Sequence, residues 1–227
     1  MTDSALPGFA IPGFDLAAFV AATLAEDLGE GWPGGGHDVT SESVIPAAAR
    51  FAGVMDSRDA IVVAGLPIAA AFFRHLDPAV EIEILVAEGA RVAPGTDLMR
   101  LSGNARALLT AERGALNTVQ HLSGIATLTR AYVDAMADAR TVLLDTRKTI
   151  PGLRHLEKYA TRTGGAQNHR LGLWDAAMIK DNHVAVAGGV RLDTIAAIAA
   201  TGVDYVSVGR LTQSAPAADI GLDFTPL

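Results

Sequence analysis

At 227 residues, the chain is long enough for one large domain or two small ones. Half of the residues are hydrophobic and 19% are charged, a composition that permits a buried core and excludes wholesale disorder. The net charge of −7 argues against broad nucleic-acid binding, and the lack of cysteine excludes disulfides, thiolate metal sites and cysteine nucleophiles.

The N-terminal residues 1–15 have no basic start and contain proline and glycine, so we expect no signal peptide there. Acidic or basic residues interrupt every Ala-rich stretch, and no apolar run reaches the roughly eighteen residues of a membrane span. Together with the absence of cysteine, these features lead us to expect a cytoplasmic protein with no membrane partner and no nucleic-acid partner.

The first hundred or so residues alternate between helical and strand patterns. Asp15 is a plausible N-cap for an amphipathic helix over 15–29, and a Gly-rich loop follows at 31–36. Further along, strands are expected at 49–55, 61–64, 80–86, 92–96 and 98–101, with a helix at 66–76. This order predicts an N-terminal α+β sandwich domain over residues 1–110.

A long helical stretch occupies 105–139, with a bend or break expected at Ser123-Gly124. Arg113 lies within this stretch, and an isolated arginine on a helix is usually a solvated or salt-bridged surface group.

From residue 141 onward, three apolar runs end on charged residues or glycine. The runs are 141–144, 176–179 and 204–208, and a helix over 192–200 with Gly202 at its C-cap separates the last two. Apolar strands with charged residues at their carboxyl ends are typical of a parallel sheet or a (β/α) barrel, whose active sites form at that edge. We therefore expect an α/β domain over 111–211.

A cationic window lies between Asp145 and Asp181, with seven Lys or Arg against four acidic residues. It includes all three lysines of the chain. Such a window in an acidic protein indicates an anionic ligand, since Arg offers a planar fork to carboxylates or phosphates and Lys offers a point charge. The candidate residues are Arg147, Lys148, Asn168, His169, Arg170 and Lys180.

Structural interpretations compete with this one. Residues 154, 157, 158 and 162 stand at helical spacing and are expected to form an exposed face with ion pairs. A histidine such as His169 is, by itself, more often structural than catalytic. Gly188-Gly189 and Gly209 are either plain turns or cradles that bind phosphate through backbone N–H groups.

Several segments of the chain resemble quinolinate phosphoribosyltransferase, also called nicotinate-nucleotide pyrophosphorylase (carboxylating). The segments run in order over nearly the whole chain: Glu26–Gly29, Asp38–Thr40, Val63–Leu66, Ala111–Asn117, His121–Thr127, Asp145–Arg154, Asn168–Arg170, Ile179–His183 and Val208–Pro216. The resemblance implies an N-terminal sandwich joined by the C-terminal tail (212–227) and an incomplete (β/α) barrel. It also implies a dimer or a larger homo-oligomer.

The resemblance also implies a reaction, in which the ring nitrogen of quinolinate attacks phosphoribosyl pyrophosphate and Mg²⁺ assists pyrophosphate departure. Loss of the 2-carboxylate then yields nicotinate mononucleotide for NAD biosynthesis. The implied quinolinate-binding residues are Thr146, Arg147, Lys148, His169, Arg170, Lys180 and, from a neighbouring subunit, Arg113, with Lys148 and Lys180 as catalytic residues. The implied phosphate-binding residues are Gly188, Gly189, Val208, Gly209 and Arg210.

The chain departs from the family pattern after His183, where two to three strands carrying a Glu and an Asp for ribose and metal are missing. A βαβ unit needs about 30 residues, so 141–209 holds only about three strands. The metal ligands are therefore unknown. Two interpretations follow: a phosphoribosyltransferase, or a non-catalytic variant that only binds anions and dimerises. The molybdenum-transport-associated relatives fit the motifs at 147–148 and 168–170 less well.

Overall fold

The computed structural model describes residues 11–137, 141–175, 191–200, 205–208 and 210–226, without the side chain of Tyr205. These residues form two compact units. The first unit contains the described residues up to His121 and those from Ala218 onward, and the second unit contains those between Leu122 and Ala217. Over the described ranges, no helix is long and apolar enough to cross a membrane.

In chain order, the described elements are α1 (Leu16–Leu28), α2 (Val39–Val44), β1 (Arg50–Ser57), β2 (Ile61–Val62), α3 (Leu66–Leu76), β3 (Glu81–Ile84), β4 (Arg91–Val92), β5 (Thr96–Asn104), α4 (Ala105–Met136), β6 (Val142–Leu144), α5 (Arg154–Thr163), α6 (Ile195–Ala199), β7 (Tyr205–Ser207), α7 (Arg210–Gln213) and β8 (Ile220–Pro226). The described residues form no closed barrel.

The first unit is built on an antiparallel sheet in the order β3-β5-β1-β8. Strands β1 and β5 pair along their whole lengths, with a register shift at Met55/Asp56. Strand β8, from the end of the chain, pairs with the other edge of β1, from Phe51 opposite Pro226 to Ser57 opposite Ile220. Strands β2 and β4 form a separate antiparallel pair.

Helices α1 and α3 begin where the sequence predicts them. The Asp15 carboxylate accepts the Ala18 N–H at 2.9 Å, and Gly29 ends α1 in the left-handed region at φ 66°. At the start of α3, the Glu88 carboxylate accepts the N–H groups of Gly65 and Leu66 at 2.7 and 3.0 Å. These contacts satisfy backbone donors that the first turn of a helix leaves unpaired.

Helix α2 was not predicted from the sequence. The Asp38 carboxylate accepts the Ser41 N–H at 2.9 Å and caps it. Its apolar residues Val39 and Val44 are exposed, so the segment lacks the buried stripe on which a sequence prediction depends.

Helix α4 is continuous from Ala105 to Met136, so of the bend or break predicted at Ser123-Gly124 the break is wrong. A Cβ at position 124 would lie 1.8 Å from the backbone oxygen of Pro216. The glycine is therefore explained by the close approach of another chain segment.

The second unit contains β6 and β7, which pair in parallel through Val142–Tyr205, Leu143–Val206 and Leu144–Ser207. Both strands were predicted, and the run at 176–179 lies outside the described residues. Helix α6 starts at Ile195 instead of 192 and ends at Ala199, with Ala200 as its C-cap, while Gly202 lies outside the described residues. The buried core of this unit comprises Tyr132, Met136, Leu143, Ala166, Ile195, Ala199, Val206, Val208 and Leu211.

Candidate functional site

The carboxyl ends of β6 and β7 lie side by side because the two strands are parallel neighbours. The Val208 N–H donates to the Leu144 carbonyl at 3.0 Å. Farther along, the Thr212 hydroxyl donates to the Lys148 carbonyl at 2.8 Å. These bonds hold the segment after β6, which carries the predicted carboxylate-binding residues, beside the segment after β7, which carries predicted phosphate-binding residues.

Asp145 follows β6 directly and is fully buried. Its carboxylate accepts four hydrogen bonds: from Lys158 Nζ at 2.6 Å, His169 N at 2.7 Å, Asn168 Nδ2 at 2.7 Å and Thr161 Oγ1 at 3.1 Å. A buried carboxylate is tolerated only when it is paired and hydrogen-bonded, and this one meets both conditions. Asp145 therefore connects the end of β6 to helix α5 and to the segment at 168–169.

The exposed charged face predicted on α5 is wrong at two of its four positions. Glu157 and Lys158 are buried, and Lys158 pairs with Asp145 rather than with a neighbour on its own helix. Arg154 is partly buried and donates to the Leu171 carbonyl at 3.1 Å. Among the four predicted positions, Arg162 is the exposed one. Spacing along one helix does not reveal a partner on another element, which explains the error.

Arg147 is partly buried, and its Nε atom is buried without a hydrogen-bond partner among the described residues. Lys148 is exposed, and its N–H donates to the Thr146 hydroxyl at 3.1 Å. A buried guanidinium N–H without a partner is costly, and an anionic ligand that supplies an acceptor would remove that cost. Arg130 of α4, which the sequence did not single out, also has a buried Nε with no partner among the described residues, and its guanidinium lies against Gly165.

His169 and Arg170 are partly buried beside Asp145. The His169 carbonyl accepts Lys158 Nζ at 2.8 Å, and its ring Nδ1 accepts the Arg170 N–H at 2.7 Å. The structure thus brings the predicted residues at 146–148 and 169–170 to one region through Asp145 and Lys158. No sequence pattern indicates this connection, because its members are 11 to 24 positions apart.

The other predicted site residues are distributed as follows. Val208 is buried in the core of the second unit, and Arg210 is exposed at the start of α7. Lys180, Gly188, Gly189 and Gly209 lie outside the described residues.

Arg113 belongs to the first unit, where it lies on α4 with 61% of its side chain exposed. Its guanidinium is 3.9 Å from the Glu112 carboxylate. Burial raises the pKa of Glu112, the Arg113 charge opposes that effect, and the Asp223 charge adds to it.

A magnesium site would need a converging set of oxygen ligands. Within the described ranges, no group of three or more His, Asp or Glu residues could hold a metal ion. A Mg²⁺ ion that is bound together with substrate phosphates needs only one or two protein carboxylates. The Mg²⁺ that the resemblance implies therefore stays a prediction, and Asp181 lies outside the described residues.

Two family models match the chain. The N-terminal domain of quinolinate phosphoribosyl transferase matches residues 38–123, and the C-terminal domain matches residues 125–189 and again residues 184–223. Residues 184–189 therefore belong to both C-terminal matches. This overlap is expected if an internal segment between two similar stretches is absent, and it agrees with the shortening that the sequence predicts after His183.

Curated relatives include the probable nicotinate-nucleotide pyrophosphorylase [carboxylating] of Synechocystis sp., which is 51% identical over 168 residues. That match covers 74% of this chain and 54% of the relative, so the chain spans about half the length of that protein. The Mycobacterium leprae nicotinate-nucleotide pyrophosphorylase [carboxylating] is 36% identical, and the match covers 83% of this chain and 91% of the relative. In that alignment, 83% of 227 residues, or about 188, are spread over 259 positions, so about 70 positions have no counterpart here.

Among solved structures, NadC from Streptococcus pyogenes matches with a TM-score of 0.86 and 29% identity, over 93% of this chain and 98% of that chain. Both domains of one family thus match in order, and a relative more than 30% identical is covered nearly from end to end. The chain belongs to the quinolinate phosphoribosyltransferase family, a family of phosphoribosyltransferases of NAD biosynthesis, and is shorter than its relatives.

Proposed function

We propose that this chain is a decarboxylating quinolinate phosphoribosyltransferase, with quinolinate and phosphoribosyl pyrophosphate as substrates. The observation that carries the proposal is the buried Nε of Arg147, which has no hydrogen-bond partner among the described residues, at the edge where β6 and β7 end together. A dicarboxylate supplies the acceptor that this guanidinium lacks. The names of the relatives support the same reaction.

The quinolinate carboxylates are assigned to the cations around Asp145. Arg147 and Arg170 offer planar forks, Lys148 is exposed, and Lys180 completes the set by the resemblance. His169 and Thr146 add neutral donors. Each charge-assisted hydrogen bond contributes about 1.5–3 kcal/mol, so two or three of them are enough for useful affinity.

The phosphates of phosphoribosyl pyrophosphate are assigned to Val208, Gly209 and Arg210 and to Gly188 and Gly189. The hydrogen bond from the Val208 N–H to Leu144 places the first of these segments next to the segment that carries Arg147. In this proposal, the second unit is an incomplete (β/α) barrel that lacks two to three strands of the family fold.

In the proposed reaction, a bond forms between the ring nitrogen and the anomeric carbon while the bond from that carbon to pyrophosphate oxygen breaks. Pyrophosphate leaves with the electron pair. The bond from ring C2 to its carboxylate then breaks, CO₂ leaves, and C2 takes a proton. The residues of this chain orient the two anions and place positive charge from Lys148 and Lys180 near the departing groups. The described residues contain no cluster of three or more candidate metal ligands, so no residue and no step is assigned to the metal.

The test is to incubate purified chain with quinolinate, phosphoribosyl pyrophosphate and Mg²⁺ and to detect nicotinate mononucleotide by mass spectrometry. Arg147→Ala is expected to lower kcat/KM for quinolinate by about 10- to 100-fold, the effect of one lost charge-assisted contact. Arg162→Ala removes an exposed arginine of α5 and is the matched control. Product that vanishes in the Arg147→Ala, Lys180→Ala double variant and persists in the control supports the proposal.

A second candidate is a non-catalytic member of the family that binds anions. The double match of residues 184–189 favours it, because the overlap indicates that an internal segment of the family domain is absent. By the resemblance, that segment carries the Glu and the Asp that contact ribose and metal. Soluble, folded protein that binds quinolinate by calorimetry and forms no nucleotide would select this candidate. Loss of both binding and product would contradict both.

We also propose a homodimer in which Arg113 serves the site of the neighbouring subunit. The exposed guanidinium of Arg113 is compatible with this role. Mixing Arg113→Ala protein with the inactive Arg147→Ala, Lys180→Ala protein after reversible dissociation tests the proposal, because a shared site would regain activity in mixed dimers. No regained activity, with sedimentation showing that mixed dimers form, would place Arg113 outside the site. A cytoplasmic location belongs to the same proposal.

A further inference from the structure

We propose that Lys158 is a positioning residue: together with Asp145, it fixes the peptide of His169 so that the imidazole carries its proton on Nε2 and serves as a hydrogen-bond donor. That the acceptor is a carboxylate of quinolinate rests on the proposed function. The position of the proton does not.

The peptide groups on both sides of the His169 Cα are held by the two members of one ion pair. The His169 N–H donates to Asp145 Oδ1 at 2.7 Å, and the His169 carbonyl accepts Lys158 Nζ at 2.8 Å. Lys158 Nζ and Asp145 Oδ1 are themselves 2.6 Å apart. The ion pair therefore fixes the backbone from which the imidazole projects.

Lys158 is unsuited to contact a ligand directly. Its side chain is 2% exposed, and two of its three N–H donors are directed to Asp145 and His169. The other oxygen of Asp145 is satisfied by Asn168 Nδ2 at 2.7 Å and Thr161 Oγ1 at 3.1 Å. The positive charge of Lys158 is thus used inside the protein, although the sequence counts it with the cations available for a ligand.

When it is neutral, the ring of His169 therefore has one tautomer available to it. Its Nδ1 accepts the Arg170 N–H at 2.7 Å, and an atom that accepts carries no proton. The proton of the neutral ring is therefore on Nε2, which can donate to an acceptor but cannot take a proton from one. This assigns His169 to binding and excludes it as a general base in the neutral state.

A purely stabilising ion pair is the competing explanation. It predicts that loss of the pair lowers the melting temperature of the protein and leaves the tautomer of His169 unchanged. A positioning role predicts that the tautomer changes as well. Nitrogen-15 NMR of the imidazoles separates the two explanations, because protonated and unprotonated ring nitrogens have different shifts.

The first measurement uses the unaltered chain, labelled at its histidines, in alkaline buffer where imidazoles are neutral. His169→Gln identifies the signals of His169 among the six histidines. We expect an unprotonated Nδ1 and a protonated Nε2. The opposite tautomer, or an equal mixture, overturns the proposal without any need for a variant that folds.

The second measurement compares Lys158→Met with Thr161→Val and with the control Arg162→Met, an exposed arginine on the same helix. Lys158→Met is expected to produce a tautomer mixture and to weaken quinolinate binding about tenfold. We expect a smaller change in the affinity for phosphoribosyl pyrophosphate, because the Lys158 ammonium bonds to Asp145 and His169 rather than to the described residues assigned to the phosphates. Thr161→Val removes one donor without changing the charge, and we expect a smaller change in the same direction. An unchanged tautomer in folded Lys158→Met overturns the proposal.

The two proposals fail in distinguishable ways. If the unaltered chain shows the expected tautomer but neither binds quinolinate nor forms nucleotide, the proposed function fails and the positioning role stands on the NMR comparison. If nucleotide forms and Lys158→Met alters neither the tautomer nor quinolinate affinity, the proposed function stands and the positioning role is wrong.

Discussion

In the first unit, the largest fully buried side chains are apolar, among them Phe72, Phe73 and Met55. In the second unit, a lysine is among the largest fully buried side chains. The buried charged residues of the described chain, namely Asp145, Glu157 and Lys158, all lie in this second unit. One unit of the chain therefore excludes charge from its interior, and the other is built around it.

This difference distinguishes buried residues that stabilise the fold from buried residues that position the candidate site. A buried ion pair is seldom more stabilising than apolar residues of the same volume, because removing two charges from water offsets most of their attraction. The Asp145–Lys158 pair is better explained by the segments that it orders. It joins the end of β6 to the backbone of His169, and both carry residues of the candidate site. The first unit needs no such device, because its antiparallel ladder fixes its strands.

Asp145→Ala is the variant with the largest expected effect, and it tests whether the second unit depends on its buried charges. It leaves four donors without their acceptor and a buried lysine without its counter-charge. We expect a loss of about 3–5 kcal/mol in the free energy of unfolding, together with loss of quinolinate binding. Urea unfolding monitored by circular dichroism measures the loss.

The control for that experiment is Asp193→Ala, which removes an exposed carboxylate paired with Arg191 in the same unit. We expect no measurable change in stability from this control. If Asp145→Ala unfolds at the same urea concentration as the control, the buried network is not what orders the second unit.

Two glycines with close neighbours, one in each unit, offer variants whose expected losses of stability are smaller than that of Asp145→Ala. A Cβ at Gly124 in the second unit would meet the Pro216 backbone oxygen at 1.8 Å, whereas one at Gly53 in the first unit would meet the Phe224 ring at 2.7 Å. Backbone yields less than a side chain, so Gly124→Ala should cost about 2–3 kcal/mol and Gly53→Ala about 1 kcal/mol. Unfolding midpoints of the two variants test the order. Equal costs would show that the 216–217 segment moves freely.

The sequence predicts much of the first unit because its signals are local. Asp15 and Gly29 mark the two ends of α1, and the period of apolar residues predicts α3. Helix α2 escapes prediction because it has six residues and exposes Val39 and Val44. The register of β8 against β1 depends on pairing between opposite ends of the chain, which no local pattern encodes.

In the second unit, the sequence predicts the strand ends and the anionic character of the ligand, but not the arrangement of the charges. The net charge of +3 between Asp145 and Asp181 counts Lys158 and Arg147 equally. Burial distinguishes them, since Lys158 is neutralised by Asp145, whereas the Arg147 Nε has no partner in the part of the chain that the structure describes. That distinction arises from contacts between residues 13 or more positions apart and so could not be derived from spacing.

Asp38→Ala tests a charge of the first unit, and its effect should be smaller than that of Asp145. Asp38 caps α2 through Ser41 and also accepts the Thr110 hydroxyl at 3.0 Å. We expect a loss of about 1 kcal/mol at neutral pH, and Asp38→Asn, which preserves capping, should lose less. Urea unfolding of the two variants at pH 7 measures this difference.

The loss from Asp38→Ala should also depend on pH. Hydrogen bonds from the Ser41 hydroxyl and from the Ser41 N–H lower the pKa of Asp38 in the folded protein. Its contribution is therefore complete above the ordinary Asp pKa of about 3.9 and is lost as the pH falls through the lower folded value. Repeating the unfolding at low pH should bring the variant and the unaltered chain together, and a constant difference would contradict the capping role.

Glu112→Gln should have the smallest effect, with the opposite sign. Burial raises the pKa of Glu112 above its ordinary range, although the Arg113 charge acts against it. Between the ordinary Glu pKa of about 4.3 and the higher folded value, the folded state binds more protons than the unfolded state. Stability therefore falls as the pH rises through that window, and removing the charge should make the variant slightly more stable than the unaltered chain at pH 7. Below pH 4 the two should converge.

Melting curves of both proteins between pH 3 and pH 7 measure this difference. A variant that is less stable at pH 7 would mean that the 3.9 Å contact with Arg113 outweighs the cost of burying the carboxylate. The first unit would then also gain stability from a partly buried charge, and the contrast with the second unit would be one of degree. A more stable variant would keep the contrast, because removing a carboxylate would then raise stability in the first unit, whereas removing Asp145 is expected to lower it in the second.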